Sequence, residues 1–358
     1  MVSLSLPKLR DPQGGWKNFA AIFYSLSANV IGWWCLSQYY HYKNHNIVAF
    51  VFFLVTGIFL SFHGRVIASY LVHESAHASI FLDPTANRDM GTTCLWLAGV
   101  PYADFAHVKA MHISHHKDRS DAVEFDYRTF CQTWPWLRNV ILALEFLYIP
   151  VVEIIMHLRT AWYPILWPSD PWVTPSRWQN AWIGTTATCA FYAVLLWPAL
   201  GGGWPTFSAH LVAGALVLHF LAMNDAFQHT YEAVLRQDHV PGPGNRTAQY
   251  EEENTYSTVL SLQYPWLNLL ALNFGYHNAH HTKAITPWYE LPQLHDDLYG
   301  SQSQTHEQIL PFGQLWLPWY RHRLRRVLEE DYGVVHSAKE PHRARDFIGS
   351  LGVSFLTV

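Results

Sequence analysis

The residues from Asn18 to Tyr40 form an apolar run without a single charged side chain. About 20 predominantly apolar residues suffice to cross a bilayer. In lipid every backbone donor and acceptor must find a partner within the segment, so such a run can only be a helix. Three further stretches read as spans of this kind, at 46–70, 180–200 and 206–226. The first pair is joined by the short polar link HYKNH at 41–45. The second pair is joined by GGGWP at 201–205, whose glycines and proline suit a tight turn between antiparallel helices.

The expected fold is therefore an all-α integral-membrane protein with four transmembrane helices in two hairpins. Composition agrees, with 50% hydrophobic and only 14% charged residues, against roughly 25% charged in ordinary globular chains. The 17 tryptophans suit the membrane–water interface. A net charge of −4 with no basic stripe argues against a nucleic-acid partner. The stretches 91–103 and 138–158, the latter holding Glu145, Pro150 and Glu153, read as interfacial or packed against the bundle. Residues 236–254 read as a surface loop.

With four spans, residues 73–137 and 224–358 share a face with the N-terminus. That face carries Lys8, Arg10, Lys17, Arg65, Lys117, Arg119 and the run RHRLRR at 321–326. The positive-inside rule makes it cytoplasmic. Residues 1–330 are expected to form one domain, with a cytosolic helical cap at 71–137 and 227–330 and a C-terminal tail at 331–358.

Histidine is the unusual count, 22 against 23 lysines and arginines together. Three clusters stand out: His73 and His77; His112, His115 and His116; and His277, His280 and His281. On a helix, positions i, i+3 and i+4 share a face, so each cluster aims its imidazoles one way. Neutral imidazole is a good ligand for iron, zinc and copper. Counted from Asn46, His73 lies roughly 40 Å along its helix, beyond a hydrocarbon core of about 30 Å. The fourth span ends similarly, with Asp225 and His229 at i, i+4 just past the boundary.

Other candidates have plainer readings. A lone histidine in a membrane protein is ordinarily a polar contact, a snorkelling group or a satisfied core residue. His41, His45, His63, His157, His210, His219, His239, His306, His322, His336 and His342 are read that way. His107, five residues before the second cluster, reads as supporting or structural. Glu74 either orients a neighbouring imidazole through its other nitrogen or is solvated, and so do Asp118 and Asp121. Glu251, Glu252 and Glu253 read as a solvated face, and Trp288 as an interface anchor. Cys35, Cys94, Cys131 and Cys189 are too scattered for a disulfide framework or a thiolate site.

The order HxxxH, then HxxHH about 35 residues later, then HxxHH after two more spans resembles the membrane fatty-acid desaturase superfamily. That superfamily includes acyl desaturases, carotenoid hydroxylases and ketolases. The third box continues as HNAHHTKAITPWYELPQLH, similar to bacterial-type members, and the resemblance covers roughly residues 46–300. It implies two iron ions, dioxygen as cosubstrate, and ligation by His73, His77, His112, His115, His116, His229, His277, His280 and His281. Acyl-coenzyme A desaturases hold a metal-associated water on an Asn one turn before the ligand on the fourth span. Here that place is Asp225, with Asn224 beside it, so a carboxylate stands near the irons either as a ligand or as a water holder.

The resemblance further implies a long-chain acyl or other lipid substrate drawn from the bilayer. No HPGG haem motif occurs, so electrons are expected from a separate donor of ferredoxin, rubredoxin or cytochrome b5 type. The PWY-x-LP style points to a bacterial inner membrane. Desaturation, hydroxylation, ketolation and oxidative decarboxylation to a terminal alkene share the same boxes, with desaturation the commonest. Two readings of another class compete. A zinc-dependent membrane hydrolase or receptor needs about three protein ligands, and a metal transporter needs ligands near the bilayer midplane.

Overall fold

The computed structural model of the protein describes residues 7–198, 202–235, 246–352 and 356. The chain divides into two compact units, Met1–His107 with Leu158–His219 and Val108–His157 with Phe220–Val358. In chain order the first helices are α1 (Trp16–Gln38), α2 (Ile47–Ala76), α3 (Pro84–Ala98) and α4 (Phe105–Asp118). A short strand β1 (Asp121–Val123) precedes α5 (Tyr127–Thr133), α6 (Pro135–Phe146), α7 (Val151–Leu166), α8 (Pro175–Leu196) and α9 (Trp204–Asp225). Then come β2 (Ala233–Leu235), α10 (Ala248–Glu253), α11 (His277–Thr282), α12 (Leu291–Tyr299), α13 (Trp316–Arg321) and α14 (Arg323–Leu328). Strands β3 (Gly333–Val334) and β4 (Asp346–Phe347) close the chain as an antiparallel pair.

Local sequence explains the helix ends. The Asn46 side chain accepts the Ala49 amide at the start of α2. Asp83 and Thr174 cap α3 and α8 in the same way, each followed by a proline at the first helical position. Gly99 ends α3 in the left-handed region at φ +87°, where only glycine is unstrained.

The membrane-type helices of the first unit sort their side chains inversely to a water-soluble protein. Asn18, Ser25, Ser61 and Ser69 are at most 1% exposed, while Phe23, Val30, Val48, Phe52 and Val55 are all more than half exposed. In lipid, large apolar groups gain nothing by turning inward, and small residues let helices approach. Helices α1 and α2 follow that rule as an antiparallel pair. Ser25 Oγ donates to the Gly64 carbonyl at 2.7 Å. A Cβ at Gly32 would lie 2.5 Å from Ser61 Oγ and 2.8 Å from its amide nitrogen, and one at Gly57 would meet Leu36 at 2.7 Å.

Three helices are long and apolar enough to cross a membrane: Trp16–Tyr42, Ile47–Ala76 and Trp204–Asp225. The expected span at 180–200 is helical over Pro175–Leu196 but is not among them. Arg177, Gln179, Asn180 and three threonines dilute its apolar character. A fourth candidate arises instead from α6 and α7, which pass together but are bent by 115° at a short break. The protein is thus an integral-membrane, mostly helical chain with three to four candidate spans. Of the expected two hairpins, α1 and α2 are seen as an antiparallel pair. The turn expected at 201–205 begins outside the described residues.

The second unit is built around Phe227, Tyr256, Leu310, Trp319 and Phe347. The segment after residue 330 takes part in this core, with Ala344 and Phe347 fully buried. Two arginines of RHRLRR are not surface charges. Arg323 pairs with buried Glu145, and Arg326, 1% exposed, donates from Nε to the Ile348 carbonyl at 2.7 Å. Of the expected loop at 236–254, residues 236–245 lie outside the described residues and 248–253 form α10. Strands β1 and β2 pair in parallel with Asp121 opposite Ala233. They tie the chain after the second histidine cluster to the chain after His229.

The helix contact gives a direct test. Gly32→Ala should destabilise the detergent-solubilised protein by about 1–3 kcal/mol through overpacking. Gly313→Ala, which meets nothing within 4 Å, should not. Thermal unfolding midpoints of the two variants check this, and equal midpoints would show that α1 and α2 need no close approach.

Candidate metal centre

In the second unit, α4 carries His112, His115 and His116 on one face, as their spacing predicts. The six-residue helix α11 carries His277, His280 and His281. His229 is positioned differently from expectation. Helix α9 stops at Asp225, a turn follows, and His229 sits in a bridge to Thr255. Asp225 and His229 therefore do not share a helical face. The backbone pairing with Thr255 holds His229 in place instead.

These side chains meet through one atom type. His115 Nε2 lies 3.1 Å from His229 Nε2, and His277 Nε2 lies 2.7 Å from the same atom. His116 Nε2 lies 3.2 Å from the Nε2 atoms of both His112 and His280. The ligand atoms of His115, His229, His277 and His281 all fall within 4.8 Å of one another. Those of His112, His116 and His280 do likewise. A metal–nitrogen bond of roughly 2.1 Å sets neighbouring ligand nitrogens roughly 3.0–3.4 Å apart. The observed separations match that range or fall slightly below it.

The opposite ring nitrogens explain why Nε2 is the presented atom. His115 Nδ1 lies 3.0 Å from Asp121 Oδ1 and 3.2 Å from the Ser120 carbonyl. His281 Nδ1 donates to Glu251 Oε1 at 3.0 Å. His229 Nδ1 lies 3.3 Å from Thr255 Oγ1, and Tyr231 stacks on its ring at 4.3 Å. An acceptor at Nδ1 keeps the proton there and leaves Nε2 with a lone pair. His229 Nε2 can donate at most one hydrogen, yet two other Nε2 atoms approach it. A cation between the lone pairs satisfies all of them, so the donor set fits a metal.

Electrostatics favour the ligand form. Burial, then the neighbouring imidazoles, push the pKa values of His229 and His281 well below the ordinary histidine value. Both rings are neutral at pH 7, so protons do not compete with a metal there. A histidine pKa lowered by folding also means that acid favours the unfolded chain, which takes up protons near pH 6.5 when the folded site does not.

Glu251 was missed by sequence reasoning, which assigned it to a solvated face. Its Oε1 holds His281, and its Oε2 accepts from Arg119 Nε at 2.7 Å. Arg119 also donates to the Arg246 carbonyl, and Arg246 donates to the Asp118 carbonyl and Glu232. Asp121, left open between orienting and exposed, faces His115. Nothing in the local sequence marks Glu251, which stands 30 residues before its partner.

The remaining candidates fall as follows. In the first unit His73 and His77 end α2, with ring centroids 4.7 Å apart. Buried Glu74 has Oε1 3.5 Å from His73 Nδ1 and Oε2 accepting from Ser79 at 2.7 Å, which favours its orienting role over a solvated one. The backbone N–H of His107 donates to Asp104 Oδ1 at the start of α4, and this histidine is not in a metal-type group among the described residues. Buried Asn224 donates from Nδ2 to the Phe220 carbonyl one turn back. Asp225 is likewise outside those groups among the described residues.

Glu251→Gln should weaken metal retention about 10–100-fold, the usual effect of losing a carboxylate behind a ligating histidine. Glu252→Gln, at a side chain 64% exposed, should leave it unchanged. Metal per chain after dialysis against graded chelator reads the difference.

A search of curated proteins finds no match. The family model described as fatty acid desaturase matches residues 44–316. The match runs from before α2 to the start of α13 and so includes every histidine that carries the site. Membership implies an oxidoreductase. On a match of that extent, the chain belongs to the fatty acid desaturase family.

Proposed function

We propose that the protein uses two histidine-held irons and dioxygen to oxidise a lipid C–H bond, as a fatty-acid or fatty-acyl desaturase. The observation that carries this reading is the pair of imidazole sets whose Nε2 atoms converge in the second unit. His115, His229, His277 and His281 hold one iron. His112, His116 and His280 would hold the other, and the family pattern counts His73 and His77 among its nine ligands. Zinc hydrolysis would need about three ligands and an open position, far fewer than this chain offers. The same count argues against a transporter, whose ligands line a path through the membrane.

When bound, iron supplies the redox chemistry that activates dioxygen toward an unreactive C–H bond. The chain's own residues do the rest. Asp121 and Glu251 fix the tautomers of His115 and His281, so that lone pairs are presented without rearrangement. Arg119 balances the charge of the Glu251 carboxylate. Burial of the imidazoles keeps water from the reacting carbon. Electrons come from a separate carrier of ferredoxin, rubredoxin or cytochrome b5 type. By the positive-inside rule applied to the sequence, the metal-bearing side is cytoplasmic.

Purified protein should contain about two irons per chain by metal analysis, the number the two imidazole sets require; one zinc and no iron would sink the proposal. His229→Ala should abolish turnover and lower the iron content, because His229 Nε2 meets both His115 and His277. Product analysis with fatty acids of varied length should return an internal alkene. A hydroxy acid or a terminal alkene one carbon shorter would assign the site to another reaction of the same chemistry.

A further inference from the structure

Arg65 lies within α2, one of the three helices long and apolar enough to cross a membrane. It stands 18 residues after Ile47, roughly 27 Å along the helix and so near the edge of a hydrocarbon layer of about 30 Å. A charge at such a depth is costly and ordinarily marks a functional site with a partner of opposite sign. Here the electrostatic neighbours of the guanidinium are a phenol, Tyr192, and an imidazole, His210, rather than a carboxylate.

Two glycines stand beside the guanidinium. A Cβ at Gly99 would lie 3.7 Å from Arg65 Nε, and one at Gly214 would lie 3.6 Å from Nη1. Gly99 closes the C-terminal end of α3, where the helix dipole favours a cation without using up its N–H groups. His210 and Gly214 stand at i, i+4, on one face of α9. His210 is 3% exposed, and neither of its ring nitrogens has a hydrogen-bond partner among the described residues. A buried imidazole with both nitrogens unused costs free energy unless something fills them.

We infer that Arg65 and His210 form an anion site for the carboxylate head of a long-chain fatty acid. One guanidinium with neutral donors beside it matches a monoanion with two oxygens, the bidentate arrangement that arginine provides. A phosphomonoester head carries about two charges near neutral pH and would outweigh a single cation. Arg65 is eight residues before His73 on the same helix, roughly 12 Å. A head held here therefore lies a fixed length of helix from His73. The inference rests on the proposed lipid oxidation and specifies its substrate as the free acid, not an ester or thioester.

The test is equilibrium binding to the intact chain in detergent, read by quenching of its tryptophan fluorescence and run without added metal. A long-chain fatty acid should bind at least about tenfold more tightly than its methyl ester. Arg65→Gln should erase that preference while ester binding persists, which also shows that the variant is folded. Arg65→Lys should keep most of the preference, and His210→Leu should reduce it. An acid-to-ester ratio unchanged by Arg65→Gln would overturn the inference and leave Arg65 as a cap on α3. An alkyl phosphate that outcompetes the acid would overturn it as well, by assigning the site to phospholipid. Because the readout needs no metal, its failure leaves the di-iron reading standing, and absence of iron leaves the binding result standing.

Discussion

Four imidazole nitrogens brought within 4.8 Å of one another in a water-poor interior need something positive between them. Neutral rings have one N–H each, and two of those hydrogens are already committed to Asp121 and Glu251. The remaining lone pairs repel unless a cation gathers them. This constraint dictates much of the second unit. It explains why β1 and β2 pair beside the site, why His229 is fixed by a bridge to Thr255 and not by its helix, and why Arg119 is spent on a carboxylate. Each of these contacts aims or neutralises a group of an imidazole set that fits a metal.

The first unit answers to a different solvent. Its helices bury serine, asparagine and glycine and turn phenylalanine and valine outward, because the bilayer rewards close backbone approach more than it rewards hiding apolar groups. The close contacts of Gly32, Gly57 and Gly64 follow from that. In such a setting an arginine without a carboxylate beside it stands out, since burial of a charge is tolerated only with compensation. Arg65 and His210 are the place where the lipid-facing unit offers a polar handle to a molecule that is otherwise apolar.

Much of this was legible in the residues. The length and apolar character of 18–40 and 46–70, the first of them free of charge, specified membrane helices. The i, i+3, i+4 spacing at 112–116 and 277–281 specified imidazoles on one face. The family pattern implied His229 as a further candidate, and its Nε2 lies beside those of His115 and His277. Less was legible at 180–200, where polar residues at the start of α8 lower its apolar character. The run RHRLRR misled because burial of Arg323 and Arg326 depends on Glu145 and Ile348, which are distant in sequence.

The sequence by itself determined which helices can live in lipid, which side chains are of metal-ligating type, and which way each points on its own element. Those properties depend on residue type and on the 3.6-residue turn, and both are local. Only the tertiary structure decided which nitrogens meet, such as His116 with His280 across 164 positions. It alone showed that Glu251 holds His281 and that His210 lies beside an arginine with no acid of its own. Such pairings arise from packing between segments, and no spacing along the chain encodes them.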